Sequence, residues 1–173
     1  MLLLVLSLSS AAVADDERSE HTAVLVGDAG DTIGVVVKFD DKTGWTMAVR
    51  AKPGADEKTF ELPMPKEHGH YLAYVTPGRK AIAFVETTGG RTDKHLAASA
   101  KDTIAWVWSP DGKLVRTWTY GDVLTDKEIA TPRRSISHFW WTEAHDVTAK
   151  GLEIEVLATK RKVILAADAS KFR

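Results

Sequence analysis

The sequence predicts an all-β protein built from antiparallel hairpins in a meander, with one short helix. Three observations carry that expectation. Apolar residues alternate with period two over many short runs. Turns rich in Gly, Pro and Asp separate those runs. No stretch keeps the period of about 3.6 that a long helix needs. The clearest hairpin is Ile104 to Tyr120, which holds three of the six tryptophans. Ile104, Trp106 and Trp108 share one face of a strand by alternation. Ser109-Pro110-Asp111-Gly112 then turns the chain, with proline presetting φ and glycine accepting the left-handed closing position. The return strand places Leu114, Arg116, Trp118 and Tyr120 on one face.

The remaining elements follow in order. Residues 1–14 read as a secretory signal: Leu2 to Leu8 is apolar, and Ala12-Val13-Ala14 has the small-x-small form of a cleavage site. No Lys or Arg precedes the apolar run, which departs from the usual pattern. The run is too short to span a bilayer, and no cysteine follows it to carry a lipid, so no stable membrane anchor is expected. Asp15 to Glu20 is a charged lead-in. Residues 21–173 form a single domain, long enough to bury a real core. The net charge of −1 gives no basic surface for nucleic acid. The chain has no cysteine, so an exported form must be stable without disulfides. It also has no Asn or Gln, which removes amide side chains from any ligand set.

His21 to Val26 reads as a first strand, and the β-branched Thr32 to Phe39 as a second. Trp45, Met47 and Val49 alternate with Thr46, Ala48 and Arg50 in a third. Thr59 to Leu62 is a short fourth, stopped by Pro63 and Pro65. Lys66 to His70 reads as a polar loop. Tyr71 to Val75 and Ala81 to Glu86 form a hairpin through Thr76-Pro77-Gly78. Thr87 to Lys101 reads as a long irregular segment of the kind that often carries function. Thr125 and Glu128 stand at capping-box spacing and start the short helix, which Thr131-Pro132 ends. Ser135 to Thr142 reads as one strand, with His138 and Trp140 on one face and Trp141 on the other. Thr142 to Lys150 reads as another irregular segment. Leu152 to Ala158 and Val163 to Ala167 close the chain as a hairpin.

Residues 71–142 carry a resemblance. The Thr76-Pro77-Gly78 hairpin, the long loop and the run Trp106-Val107-Trp108-Ser109-Pro110-Asp111-Gly112-Lys113 resemble a four-stranded blade of β-propeller-like proteins. With the short helix and Ser135-x-Ser137-x-x-Trp140-Trp141 behind it, the stretch is similar to uncharacterised exported bacterial proteins of that kind. The resemblance implies a partial propeller-like arrangement; the strand pattern alone fits a β-sandwich equally. It implies no activity and no catalytic residue.

The functional expectations are correspondingly spare. No nucleophile elbow, phosphate loop or dinucleotide pattern is present, so no catalytic residue is assigned. His68 and His70 share a face if extended and are the candidate metal ligands, with His95, His138, His145 and Asp146 as further donors. The turn aspartates Asp28, Asp31, Asp40 and Asp41 lack the calcium-loop pattern. Trp140, Trp141 and His138 are the candidate binding residues, since an exposed tryptophan could hold a sugar or peptide. The expected function is that of an exported, non-enzymatic binding or structural module, with no cofactor. The alternatives are a metal-dependent enzyme using His68 and His70, and a subunit that completes itself with a protein partner or a second copy.

Overall fold

A computed structural model describes residues 21–27, 35–40, 42–50, 56–64, 69–90, 99–134 and 138–173. Among the described residues thirteen strands run in chain order with two short α-helices and one 3-10 turn at Pro77–Arg79. They are β1 (His21–Gly27), β2 (Val35–Asp40), β3 (Gly44–Arg50), β4 (Glu57–Leu62), β5 (Gly69–Val75), β6 (Ile82–Gly90), β7 (Thr103–Trp108) and β8 (Leu114–Thr119). After α1 (Tyr120–Val123) and α2 (Asp126–Ala130) come β9 (Arg133–Arg134), β10 (His138–Trp140), β11 (Thr142–Thr148), β12 (Gly151–Val156) and β13 (Lys162–Ala166).

The strands form three sheets. A central sheet of seven strands contains β1, β5, β6, β7, β8, β9 and β10. Two three-stranded meanders, β2-β3-β4 and β11-β12-β13, pack against it. The apolar residues divide accordingly into two cores. Trp45, Met47, Val49 and Leu62 of the first meander meet Tyr71, Ala73, Ile82, Phe84, Trp106 and Trp108. Leu152, Ile154, Val156 and Val163 of the second meet Leu72, Tyr74, Ala83, Val85 and Val107, together with Val123 and Leu124. The middle of the central sheet is thus covered twice. This is why Tyr71 to Val75 and Ile104 to Trp108 are buried at every residue and read as unbroken apolar runs.

The all-β expectation is met, with antiparallel pairing nearly throughout. The exception is β1, which pairs in parallel with β5 in a register running from His21 opposite Gly69 to Gly27 opposite Val75. The first meander is the crossover between them, doing with three strands what a helix does in a βαβ unit.

Several local expectations change. Among the described residues the short helix expected after Thr125 is α2, and a further turn of helix, α1, precedes it. Ile104 does not share a face with Trp106 and Trp108. The β7–β8 register shifts between Thr103 and Ala105, and Ile104 packs in the opposite core with Ala105 and Val107. An extra residue in one strand turns every side chain before it to the other face. Thr142 to Lys150 is not an irregular loop, because β11 occupies most of it and pairs with β12. Gly69 and His70 belong to β5, and Thr87 to Gly90 extend β6. Ser135 to Thr142 is not one strand: β10 spans three residues, and β11 begins at Thr142 in another sheet. Residues 135–137 lie outside the described residues.

The Ser109 to Lys113 turn forms as its sequence predicts. Ser109 N donates to the Lys113 carbonyl at 2.9 Å, and Gly112 N to the Ser109 carbonyl at 3.0 Å. Gly112 has φ +80°, and a Cβ there would sit 2.1 Å from Phe60. Glycine at this position serves both the turn and its seat on β4.

Candidate functional site

The central sheet forks along β6. The first half of that strand, Ile82 to Val85, pairs with β7, and the last half, Thr88 to Gly90, pairs with β10. Glu86 and Thr87 lie between the two partners. On the other side of β6 the register with β5 also shifts here, so that Tyr71 faces Glu86 and His70 faces Thr88. Backbone polar groups cannot be left unsatisfied inside a protein, and side chains complete the ladder at the break. The Trp141 indole Nε1 donates to the Glu86 carbonyl at 2.5 Å. Thr87 Oγ1 donates to the His70 carbonyl at 3.0 Å.

The Glu86 carboxyl is the unusual group at the fork. Tyr120 at the start of α1 donates its hydroxyl to Glu86 Oε2 at 2.8 Å. Tyr120 is held in place from behind, its backbone N donating to the Asp102 carbonyl at 2.9 Å, and its ring packs 6.3 Å from that of Phe139. Among the described residues no cation pairs with Glu86. Burial pushes its carboxyl up to about 8, and the negative charge of Asp102 adds to that, while the Tyr120 hydrogen bond opposes both. Burial likewise raises the Tyr120 phenol well above its ordinary value, with Glu86 the next cause. Both shifts favour the uncharged form of the pair. A neutral carboxylic acid can donate a hydrogen bond or release a proton, neither of which an ordinary surface glutamate does at neutral pH.

The sequence-predicted site residues are partly gathered around the fork. His70, half-buried, and Trp140, also half-buried, stand on either side of Thr88 on one rung of the sheet. Two strand spacings separate them by about 10 Å. His138 is opposite Gly90, two residues further along β6. Trp141 is not an exposed platform; it is 2% exposed and spends its indole N–H on the fork. Trp118 is half-buried on β8, edge-on to Phe172 at 5.1 Å and below Arg116 at 5.6 Å. His145 is exposed on β11, in another sheet. His68, His95, Asp28, Asp31 and Asp41 lie outside the described residues. Among the described residues no three His, Asp or Glu side chains gather as a metal cradle.

Glu86 and Tyr120 were not singled out by sequence reasoning. A signal for Glu86 was present, because an acid ends the apolar run Ala81-Ile82-Ala83-Phe84-Val85 in a strand buried on both faces. For Tyr120 there was none, since only the fold brings α1 to β6.

Fold and site together define an all-β protein of three stacked sheets with a glutamic acid at a sheet fork. Comparison with protein-family models, with curated proteins and with solved structures finds no match.

Proposed function

We propose that this chain is an exported, non-enzymatic module that works through contacts made at a sheet edge. The observation that carries this reading is β8. It ladders with β7 on one side and, among the described strands, with none on the other. Leu114 is 46% exposed on it and Val115 62%. An open edge with apolar side chains is a template for another strand.

The occupant of that edge in this reading is a second copy of the same strand. Antiparallel pairing about a two-fold axis makes a closed dimer. Centred on Val115, such pairing sets Leu114 across from the second copy's Arg116 and Lys113 across from its Thr117. No like charges then face each other, and Val115 meets its own equivalent. Export rests on the signal-like residues 1–14, and the resemblance of residues 71–142 to a blade of propeller-like exported proteins favours the same general reading.

Sedimentation of the purified protein over a range of concentrations tests this. The expected result is a dimer that Val115→Lys dissociates while the circular dichroism spectrum stays unchanged. A monomer at every concentration overturns the reading.

A further inference from the structure

We infer that the groove between β8 and β13 is a docking site for an extended peptide with an aromatic side chain, and that the chain's own residues Ser170–Arg173 now fill it.

The seated segment shows what the groove recognises. Residues 171–173 add to the outer edge of β13. Ile164 N donates to the Arg173 carbonyl at 2.8 Å, Arg173 N to the Ile164 carbonyl at 3.0 Å, and Ala166 N to the Lys171 carbonyl at 2.9 Å. Leu165 and Phe172 are antiparallel partners there. These bonds use backbone alone, so an extended chain of another sequence can make them. Two side chains of β8 supply the selection. Trp118 meets the Phe172 ring edge-on, with centroids 5.1 Å apart and planes at 86°. Arg116 donates from Nη1 to the Ser170 carbonyl, and its guanidinium lies 5.6 Å from the centre of the Trp118 ring. The ligand chemistry is thus an extended backbone, an aromatic ring for Trp118, and a carbonyl two residues before that ring for Arg116.

The occupant is separable from the fold that holds it. The chain before it is anchored: Ala167 N donates to the Lys150 carbonyl at 3.0 Å, and the Tyr74 hydroxyl donates to the Ala167 carbonyl at 3.3 Å. A tight turn follows, in which Ala169 N donates to the Ala166 carbonyl at 2.7 Å and Ser170 N to Asp168 Oδ1 at 3.0 Å. Ala169 takes φ +54° in that turn, a left-handed conformation that is unfavourable for a residue with a Cβ. This strain favours release of what comes after it. Beyond the turn Ser170, Lys171 and Arg173 are exposed, and Phe172 is half-buried. Without the segment, β13 keeps its ladder with β12, and Val163 and Leu165 remain in the core. Release therefore uncovers Trp118 and Arg116 without dismantling a sheet. The site lies on the face of β8 and does not depend on pairing along its edge.

Phe172→Ala in the full chain weakens the internal occupant and tests the site. A synthetic peptide with the sequence of residues 167–173 is titrated into this variant and into the wild type. Binding is read from the NMR signal of the Trp118 indole, assigned by its loss in Trp118→Phe. The expected result is binding to Phe172→Ala at least about tenfold tighter than to the wild type, whose own segment leaves the groove open in only a fraction of molecules. A peptide with alanine in place of its phenylalanine should not bind, and adding Arg116→Ala to the variant should weaken binding. Equal binding to the two proteins, no binding to Phe172→Ala, or binding that ignores loss of the peptide's ring overturns the inference. Exchange of the segment between two copies, seen as a dimer that Phe172→Ala dissociates and Val115→Lys leaves intact, also overturns it. Should Phe172→Ala not fold, the wild type decides: an indole signal of Trp118 that excess peptide does not move overturns the inference.

Discussion

Glu86 and Glu128 are two glutamates drawn into the fold, and the protein treats them in opposite ways. Glu128 is 2% exposed and surrounded by donors. Arg161 Nη2 reaches its Oε2 at 2.7 Å and Arg161 Nε its Oε1 at 3.0 Å. Thr159 Oγ1 also donates to Oε1, and Thr125 N to Oε2. These bonds, those from Arg161 first, pull the carboxyl down to about 2. Glu86 has one phenol and no cation among the described residues, and it is pushed the other way. The first arrangement fixes α2 to the turn between β12 and β13, and it works because the charge is permanent. In the second, burial favours the protonated form, so the charge depends on how far water is kept out.

The difference should show most strongly in Glu128→Ala. It strips Arg161 of its partner and leaves Thr125 and Thr159 without theirs, and the expected cost is about 3 kcal/mol at neutral pH in urea unfolding. Arg161 keeps some access to water, which holds the cost to the low end for a broken buried pair. Glu128 has a folded value below its unfolded one. Its contribution is therefore present above about pH 4.5 and lost as pH falls toward 2. The cost of Glu128→Ala should shrink over that window. A pH-independent cost would mean that packing, not charge, is what was lost.

Glu86→Gln should act with the opposite sign. The folded value of Glu86 lies above its unfolded one. Its contribution is complete below about pH 4.5 and is lost as pH rises through about 8. Above that pH the variant should be more stable than the wild type, by on the order of 2 kcal/mol, because the amide cannot ionise. Equal stability of the two proteins at about pH 9 would place Glu86 with ordinary surface glutamates and end the contrast with Glu128.

Trp141→Phe tests the fork without touching its carboxyl. It leaves the Glu86 carbonyl without its indole donor and a small void in the core, for about 2 kcal/mol. The loss of hydrogen-exchange protection should centre on residues 86–90 and 120–124. Uniform loss across the domain would mean that the fork is no weaker than the rest of the sheet.

The smallest effect is expected from Arg161→Lys, at about 1 kcal/mol. A lysine keeps the charge but not the two-pronged contact with Glu128 or the bond from Nη2 to the Val123 carbonyl at 2.9 Å. Protection of the Trp141 indole should not change. A change there would mean that α1, which joins the Val123 carbonyl on Arg161 to the Tyr120 hydroxyl on Glu86, carries the effect to the fork.

Local chemistry was legible in the sequence. Period-two alternation showed β3, and the Ser109 to Gly112 turn formed as its proline and glycine require. The Thr125–Glu128 capping box is present, with Thr125 N on the glutamate at 2.9 Å. Strand β11 was not legible, because it is exposed from Ala144 to Val147. A strand whose described side chains are exposed or half-buried has no apolar alternation to read. The face of Ile104 was lost for another reason: a bulge changes the count by one residue and leaves no mark in composition. Of the residues expected to serve the site, His70 and Trp140 stand on one rung with Thr88 between them, while Trp141 is buried with its N–H on the Glu86 carbonyl.

What the sequence determined alone follows from interactions between near neighbours: all-β character, the hairpins, the turns and the helix start at Thr125. Tertiary structure decided which sheet each hairpin joins, the parallel pairing of β1 with β5 and the fork in β6. It also decided the fates of the two glutamates. Glu128 looks like a capping residue until Arg161, 33 residues away, arrives beside it. Glu86 looks like the polar end of a strand until Tyr120, 34 residues away, covers it. The physical reason is the same in both cases. The charge of a carboxylate is set by desolvation and by the donors around it, and in a β-protein those donors come from strands and helices distant in the chain.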